Sequence, residues 1–251
     1  MSMITTSRQE GTEIVELNRG VTNALDLELV RELTRVIRRI KDDSKIRGAV
    51  LTSANDKFFS IGFDLPHLYG LPAEEFEIFY RSFNQACLEL YTLPIPTVAA
   101  ITGHAVAGGC ILALCCDQRL IAYGRKLMGL NEIKLGVPVP YLADRVLHEL
   151  VGVRTASEIM EIGEFYAAQK ALEMGMVDKV LPQETVLDES VKRACALGAS
   201  PSKAFAMIKR NRVEQVESQV LSCLDEKTEG FLDCWFSDQA RARLKEAIEK
   251  F

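Results

Sequence analysis

Up to residue 181 short β-rich runs alternate with longer helical stretches, and after Leu181-Pro182 the strand signal stops. This one-sided alternation constrains the fold more than any other property of the chain. The runs are Glu13 to Leu17, Arg47 to Thr52, Thr97 to Ile101, Gln118 to Ala122 and Val177 to Leu181. Strands separated by helices imply an α/β fold. Among the helices, Leu27, Val30, Leu33, Ile37 and Ile40 recur at three- and four-residue spacing, which predicts a helix from about Leu27 to Lys41 with its stripe on a sheet. Asp26 is placed to cap it. A second helix is expected from Ala73 to Tyr91, after a loop punctuated by Gly62, Pro66, Gly70 and Pro72. Beyond residue 183 the chain reads as successive helices, broken near Ser200-Pro201 and Ser237-Asp238. The expected organisation is therefore a core over residues 1–183 and a helical region over 184–251.

Composition narrows the function. With 251 residues, 48% of them hydrophobic, the chain can bury a full core. A formal net charge of −5 provides no global field for nucleic acid or an anionic membrane. The seven cysteines include no Cys-x-x-Cys pair and lie mostly in apolar surroundings, so reduced thiols and a cytoplasmic location are expected. His67, His104 and His148 form no ligand-spaced cluster, so no metal site is expected. The N-terminal MSMITTSRQEGTEI carries no signal-like basic and apolar pattern, and no run reaches about 18 apolar residues. A soluble protein follows. The final Glu249-Lys250-Phe251 does not form a peroxisomal address.

Three stretches are able to carry chemistry. Phe58 to Leu65 is an extended apolar approach ending in Gly62, where backbone can come close to a ligand, and Asp64, which can cap a short helix. Alone it equally reads as a strand end turning into a capped helix. Ile101 to Leu114 reads as a strand, a small-residue turn through Ala107, Gly108 and Gly109, and an apolar helix. Free N–H groups at such a helix start can hold an anion, or the small residues simply permit tight packing. Met128 to Gly136 sets Glu132 among apolar residues, where desolvation would raise its pKa toward a value useful for general acid/base catalysis. A lone loop glutamate is otherwise a solvated surface residue.

Taken together and in this order, the stretches resemble the crotonase, or enoyl-CoA hydratase/isomerase, superfamily. Asn18-Arg19 and Asn23-Ala24-Leu25 look like its early elements, with Gly20 in place of the usual proline. Phe59 to Leu65 is similar to its Phe-Ser-Ala-Gly-x-Asp-Leu, and Gly103 to Gly109 to its Gly-x-x-x-x-Gly-Gly. The resemblance implies a crotonase-type spiral of ββα repeats with a helical C-terminal region that assembles homotrimers or, as dimers of trimers, hexamers. It implies catalytic roles for Glu132 and for the backbone amides of Phe63 and Gly108, which would hold the thioester oxygen. It implies substrate contacts at Ala24, Ser60, Ile61, Gly62, Asp64, Leu65 and Asn131, with Ser60 to Leu65 following the adenine end of coenzyme A. Phe63 and Ile61 would reshape the pocket.

Hydratases of this family use two glutamates, and the first position here is Ile111, which neither accepts nor donates a proton. Pro140 stands where dienoyl isomerases carry an aspartate. The Gly129-Leu130-Asn131-Glu132 segment is similar to single-glutamate isomerases. The expected activity is thus Δ3 to Δ2 enoyl-CoA isomerisation in fatty acid metabolism, with no cofactor beyond the coenzyme A of the substrate. Hydration or thioester hydrolysis, with a carboxylate from Glu74, Glu75 or Glu77, and a silent acyl-CoA-binding member are the alternatives.

Overall fold

The computed structural model describes residues 2–250; Met1 and Phe251, at the ends of the stretches read for targeting signals, lie outside the described residues. Two antiparallel strands come first, β1 (Ile4–Gln9) and β2 (Thr12–Leu17). Glu10 and Gly11 join them with φ of 48° and 80°, the left-handed pair that suits a two-residue hairpin. Because Thr5 to Gln9 are polar and exposed, no apolar pattern marks β1 in the sequence. α1 (Leu27–Asp42) begins where expected: the Asp26 side chain accepts from the Leu29 amide at 2.8 Å, and Val30, Leu33, Ile37 and Ile40 are buried.

Three ββα units follow. The first holds β3 (Gly48–Ser53), β4 (Phe58–Ser60), the short α2 (Leu65–Leu68) and α3 (Ala73–Tyr91). The second holds β5 (Thr97–Ile101), β6 (His104–Val106) and α4 (Gly108–Leu114). The third holds β7 (Gln118–Ala122), β8 (Leu127–Gly129), α5 (Glu132–Leu135) and α6 (Tyr141–Ile162), the last kinked where Gly152 takes φ 77°. Then come β9 (Phe165–Ala167), α7 (Ala168–Glu173) and β10 (Lys179–Leu181).

Within each unit the first strand enters one sheet and the second enters another. The six-stranded sheet runs β1-β2-β3-β5-β7-β10 and the four-stranded sheet β4-β6-β8-β9. All neighbours are parallel except the β1–β2 and β8–β9 pairs. This is the α/β spiral of ββα repeats that the resemblance implies. The members of the smaller sheet are three residues long, too short for alternation to show, so the sequence reveals only the longer strand of each pair.

The C-terminal helices are α8 (Val186–Gly198), α9 (Ser202–Ser222), α10 (Leu224–Trp235) and α11 (Asp238–Ile248). α8 lays Val186, Val191 and Ala194 against Val50, Val98 and Leu120, a smaller core on one face of the large sheet. The main core lies on the other face, between sheet, α1, α3, α4 and α6. The breaks before α9 and α11 fall at Pro201 and Ser237 as read, whereas Cys223, between α9 and α10, carries no Gly or Pro signal.

A buried ion cluster fixes α9. Lys209 is 3% exposed, and its Nζ donates to Asp117 Oδ2 at 2.8 Å and to the Ile95 carbonyl at 3.1 Å. The same Asp117 oxygen accepts from the Thr97 amide at 2.8 Å, and Arg212 pairs with the other. Burial holds the Lys209 pKa below its ordinary value while Asp117 opposes that shift. Replacing Asp117 by alanine is expected to destabilise the protein by about 3–5 kcal/mol, the cost of a buried charge left unpaired. Urea unfolding measures this, and a loss within error of zero would mean Lys209 finds water.

Candidate active site

Two backbone segments approach each other beside the smaller sheet. Residues 22 to 25 run along 61 to 64: the Ile61 amide donates to the Thr22 carbonyl at 3.0 Å, Leu25 to Gly62 at 2.7 Å and Asp64 to Leu25 at 2.9 Å. The parallel bridge between Leu25 and Phe63 turns the Phe63 amide away from this ladder. Across from it, Ala107 takes φ 48° and ψ −126°, a strained conformation costing about 1–3 kcal/mol, and α4 starts at the next residue. The Gly108 amide is among the first N–H groups of that helix, which have no intrahelical acceptor. Among the described residues, neither amide is spent on a hydrogen bond within the chain. Gly62, at φ 87°, fits between the segments because a Cβ there would stand 2.7 Å from the Gly108 nitrogen.

Phe63 and Gly108 line a cavity of about 430 Å³, and so do Asn131 and Glu132. Glu132 opens α5 and is 7% exposed. Its Oε2 is buried without a partner, as is Asn131 Oδ1. Burial pushes the Glu132 carboxyl up from 4.5 to about 7, only partly offset by its own amide. The cavity therefore holds a carboxyl that changes protonation near neutrality, together with two unpaired backbone donors. Such a set can move a proton next to a carbonyl whose oxygen gains negative charge.

A family model described as enoyl-CoA hydratase/isomerase matches residues 7–251. The chain belongs to that family. Mouse mitochondrial enoyl-CoA delta isomerase 1 is 34% identical over 185 residues, covering 73% of this chain and 64% of the mouse protein. The human protein of that name is 28% identical over 241 residues, covering 96% and 80%. Among solved structures, human mitochondrial delta3-delta2-enoyl-CoA isomerase superposes with a TM-score of 0.96 at 26% identity, over 99% of this chain and 98% of that one. Enoyl-CoA hydratase from Bacillus halodurans gives 0.90 at 24% identity over 98% and 100%, a likeness of fold alone.

In this member of the enoyl-CoA hydratase/isomerase family, Ile61 and Leu65 also line the cavity. Ala24, Ser60, Gly62 and Asp64 stand behind its wall. The Ser60 hydroxyl donates to the Asn23 carbonyl at 2.7 Å and accepts from the Gly62 amide at 3.1 Å. Asp64 binds Arg19 at 2.7 Å and caps α2 through the His67 amide, while the Ala24 carbonyl accepts from Arg19 at 2.9 Å. The sequence reading did not single out Thr22, Lys57, Val137, Phe165, Phe231, Trp235 or Ala247 as wall residues. Thr22, Lys57 and Val137 adjoin the stretches read as functional, whereas Phe165 comes from β9, Phe231 and Trp235 from α10 and Ala247 from α11, where no local motif marks them.

Among the described residues that line the cavity, Glu132 is the only carboxylate. Ile111 is buried in the main core. Glu74 and Glu75 are exposed, and Glu77 pairs with Arg81 at 2.6 Å. None of these three glutamates reaches the cavity. No three of His, Cys, Asp and Glu gather as a metal ligand set among the described residues, and no described helix is long and apolar enough to cross a membrane.

Proposed function

We propose that the protein converts 3-enoyl-CoA to 2-enoyl-CoA by a one-base proton shuttle. Ionised Glu132 takes a proton from C2, and the C–H electron pair delocalises toward the thioester oxygen, giving a dienolate. The Phe63 and Gly108 amides donate to that oxygen as its charge grows. The neutral Glu132 carboxyl then gives its proton to C4. The double bond comes to rest between C2 and C3, the carboxylate is restored, and no atom is gained or lost.

The observation that carries this reading is a single buried carboxyl sharing a cavity with two unpaired amides. One carboxylate suffices to move a proton between carbons. Hydration needs a second group to hold and deprotonate water, and the described residues of the cavity wall offer no second carboxylate. The relatives named delta isomerases support the same choice. Lys57, exposed at the rim, suits the phosphates of coenzyme A, which would enter as part of the substrate.

The test incubates purified protein with 3-enoyl-CoA and, separately, 2-enoyl-CoA, following double-bond position by absorbance and water addition by mass. Isomerisation with negligible hydration is expected. Robust hydration by the wild type would overturn the reading, and acyl-CoA binding without turnover would favour a silent binding member. Assembly as a trimer is part of the proposal: Val153, Met207 and Ile208 are 70%, 68% and 69% exposed, apolar surface of the kind an interface covers. Light scattering showing a monomer would remove that part alone.

A further inference from the structure

The two ends of the cavity differ in burial. Lys57 is exposed and Thr22, Phe58 and Ile61 are half-buried, whereas Val137, Phe231 and Trp235 are 3%, 2% and 1% exposed. If the substrate is an acyl thioester, as proposed above, its coenzyme A must leave through the open end. The acyl tail beyond the reacting carbons is then directed to the closed one.

The closed end is walled by aromatic rings in two layers. Phe231 and Trp235 are one turn apart on α10 and share a face. Trp235 stacks on Phe76 of α3 with centroids 4.1 Å apart and planes at 19°. Phe231 stacks on Tyr80, one turn further along α3, at 4.0 Å and 18°. Phe236 meets the Phe76 ring edge-on at 5.8 Å. Phe76 and Tyr80 are 0% and 3% exposed and do not line the cavity, so they serve as backing. At interior packing density the front rings have nowhere to retreat. The cavity's 430 Å³ is near the small end of the roughly 300–1,000 Å³ of ligand sites, and it must hold thioester, reacting carbons and tail.

We propose that Trp235, held against Phe76, is the stop that sets the longest acyl chain the protein accepts, restricting it to short- and medium-chain thioesters. The inference rests on the acyl-thioester reading of the site, and its test is separable from the chemistry. Saturated acyl-CoA thioesters from butanoyl to hexadecanoyl do not react, so calorimetry reports the fit of the tail alone. Each methylene that enters the apolar end should tighten binding about fourfold, until the tail meets the indole and the gain stops or reverses. Trp235→Ala should move that break to longer chains. Val137→Phe, which adds bulk at another buried lining position and leaves Trp235 and Phe76 in place, should move it to shorter ones.

A continuous gain through hexadecanoyl in the wild type would overturn the proposal, as would a break that neither variant shifts. Should Trp235→Ala fail to fold, Val137→Phe decides. A break in binding without turnover of any 3-enoyl-CoA would sink the isomerase reading and leave the stop standing. Isomerisation with no break would do the reverse.

Discussion

Glu132→Gln is expected to lower kcat for 3-enoyl-CoA isomerisation by about 10²–10⁴-fold, the usual contribution of a positioned general base, while making the protein more stable at neutral pH. Glutamine fills the same space but cannot hold the travelling proton. The wild-type pH profile should carry the same signature. With the carboxyl pushed up to about 7, kcat/KM should fall about tenfold per unit below that pH and level off above it. The stability effect follows from the same shift. Burial raises the folded-state pKa above 4.5, so the folded protein holds this proton more tightly than the unfolded chain does. Its contribution is complete below pH 4.5 and is lost as pH rises through 7, amounting to about 3 kcal/mol over that window. Glutamine has no such loss, so the variant should gain on the wild type at pH 8 and not at pH 4. Steady-state kinetics and urea unfolding at both values check this. A variant with wild-type turnover would remove Glu132 from the mechanism, whatever its stability.

The parts of the fold legible in the sequence are those with local causes. The stripe of α1 and its Asp26 cap, and the longer strand of each pair, lie in single stretches, and each appears within a few residues of its expected place. The four-stranded sheet was not legible, because three-residue strands leave no period to detect. At the site, Glu132, Asn131, Ile61, Phe63, Leu65 and Gly108 all come together. Ser60 and Asp64 belong to the same motif, yet their side chains hold the loop rather than face the cavity. A motif records which residues a loop requires without separating those that touch a ligand from those that position its backbone. The far wall was hidden for another reason. Phe231 and Trp235 follow Glu132 by about a hundred residues, and only the packing of α10 on α3 brings them to the cavity wall.

Gly108→Ala and Gly109→Ala, one residue apart, should fail in opposite ways. In the sequence the pair reads either as an anion-binding helix start or as an aid to tight packing, and the contacts that a Cβ would meet differ sharply between the two glycines. A Cβ on Gly109 would stand 2.2 Å from the Ser60 carbonyl oxygen and 2.8 Å from its carbon. These are backbone atoms of β4, so α4 would have to move off the small sheet, and a loss of about 1–3 kcal/mol or more is expected in urea unfolding. A Cβ on Gly108 meets Leu25 Cδ1 at 3.1 Å and Gly62 Cα and Phe63 Cδ1 at 3.2 Å, tight contacts that a shift of tenths of an ångström relieves. That shift falls on the two segments whose amides are to hold the thioester oxygen. Hydrogen bonds that strengthen only in the transition state act on kcat rather than KM, and a misplaced donor costs about 10²-fold. Gly108→Ala should therefore fold with near wild-type stability, bind acyl-CoA almost unchanged and turn over about a hundredfold more slowly. Wild-type kcat in that variant would show that the gap between Phe63 and Gly108 is not where the oxygen sits.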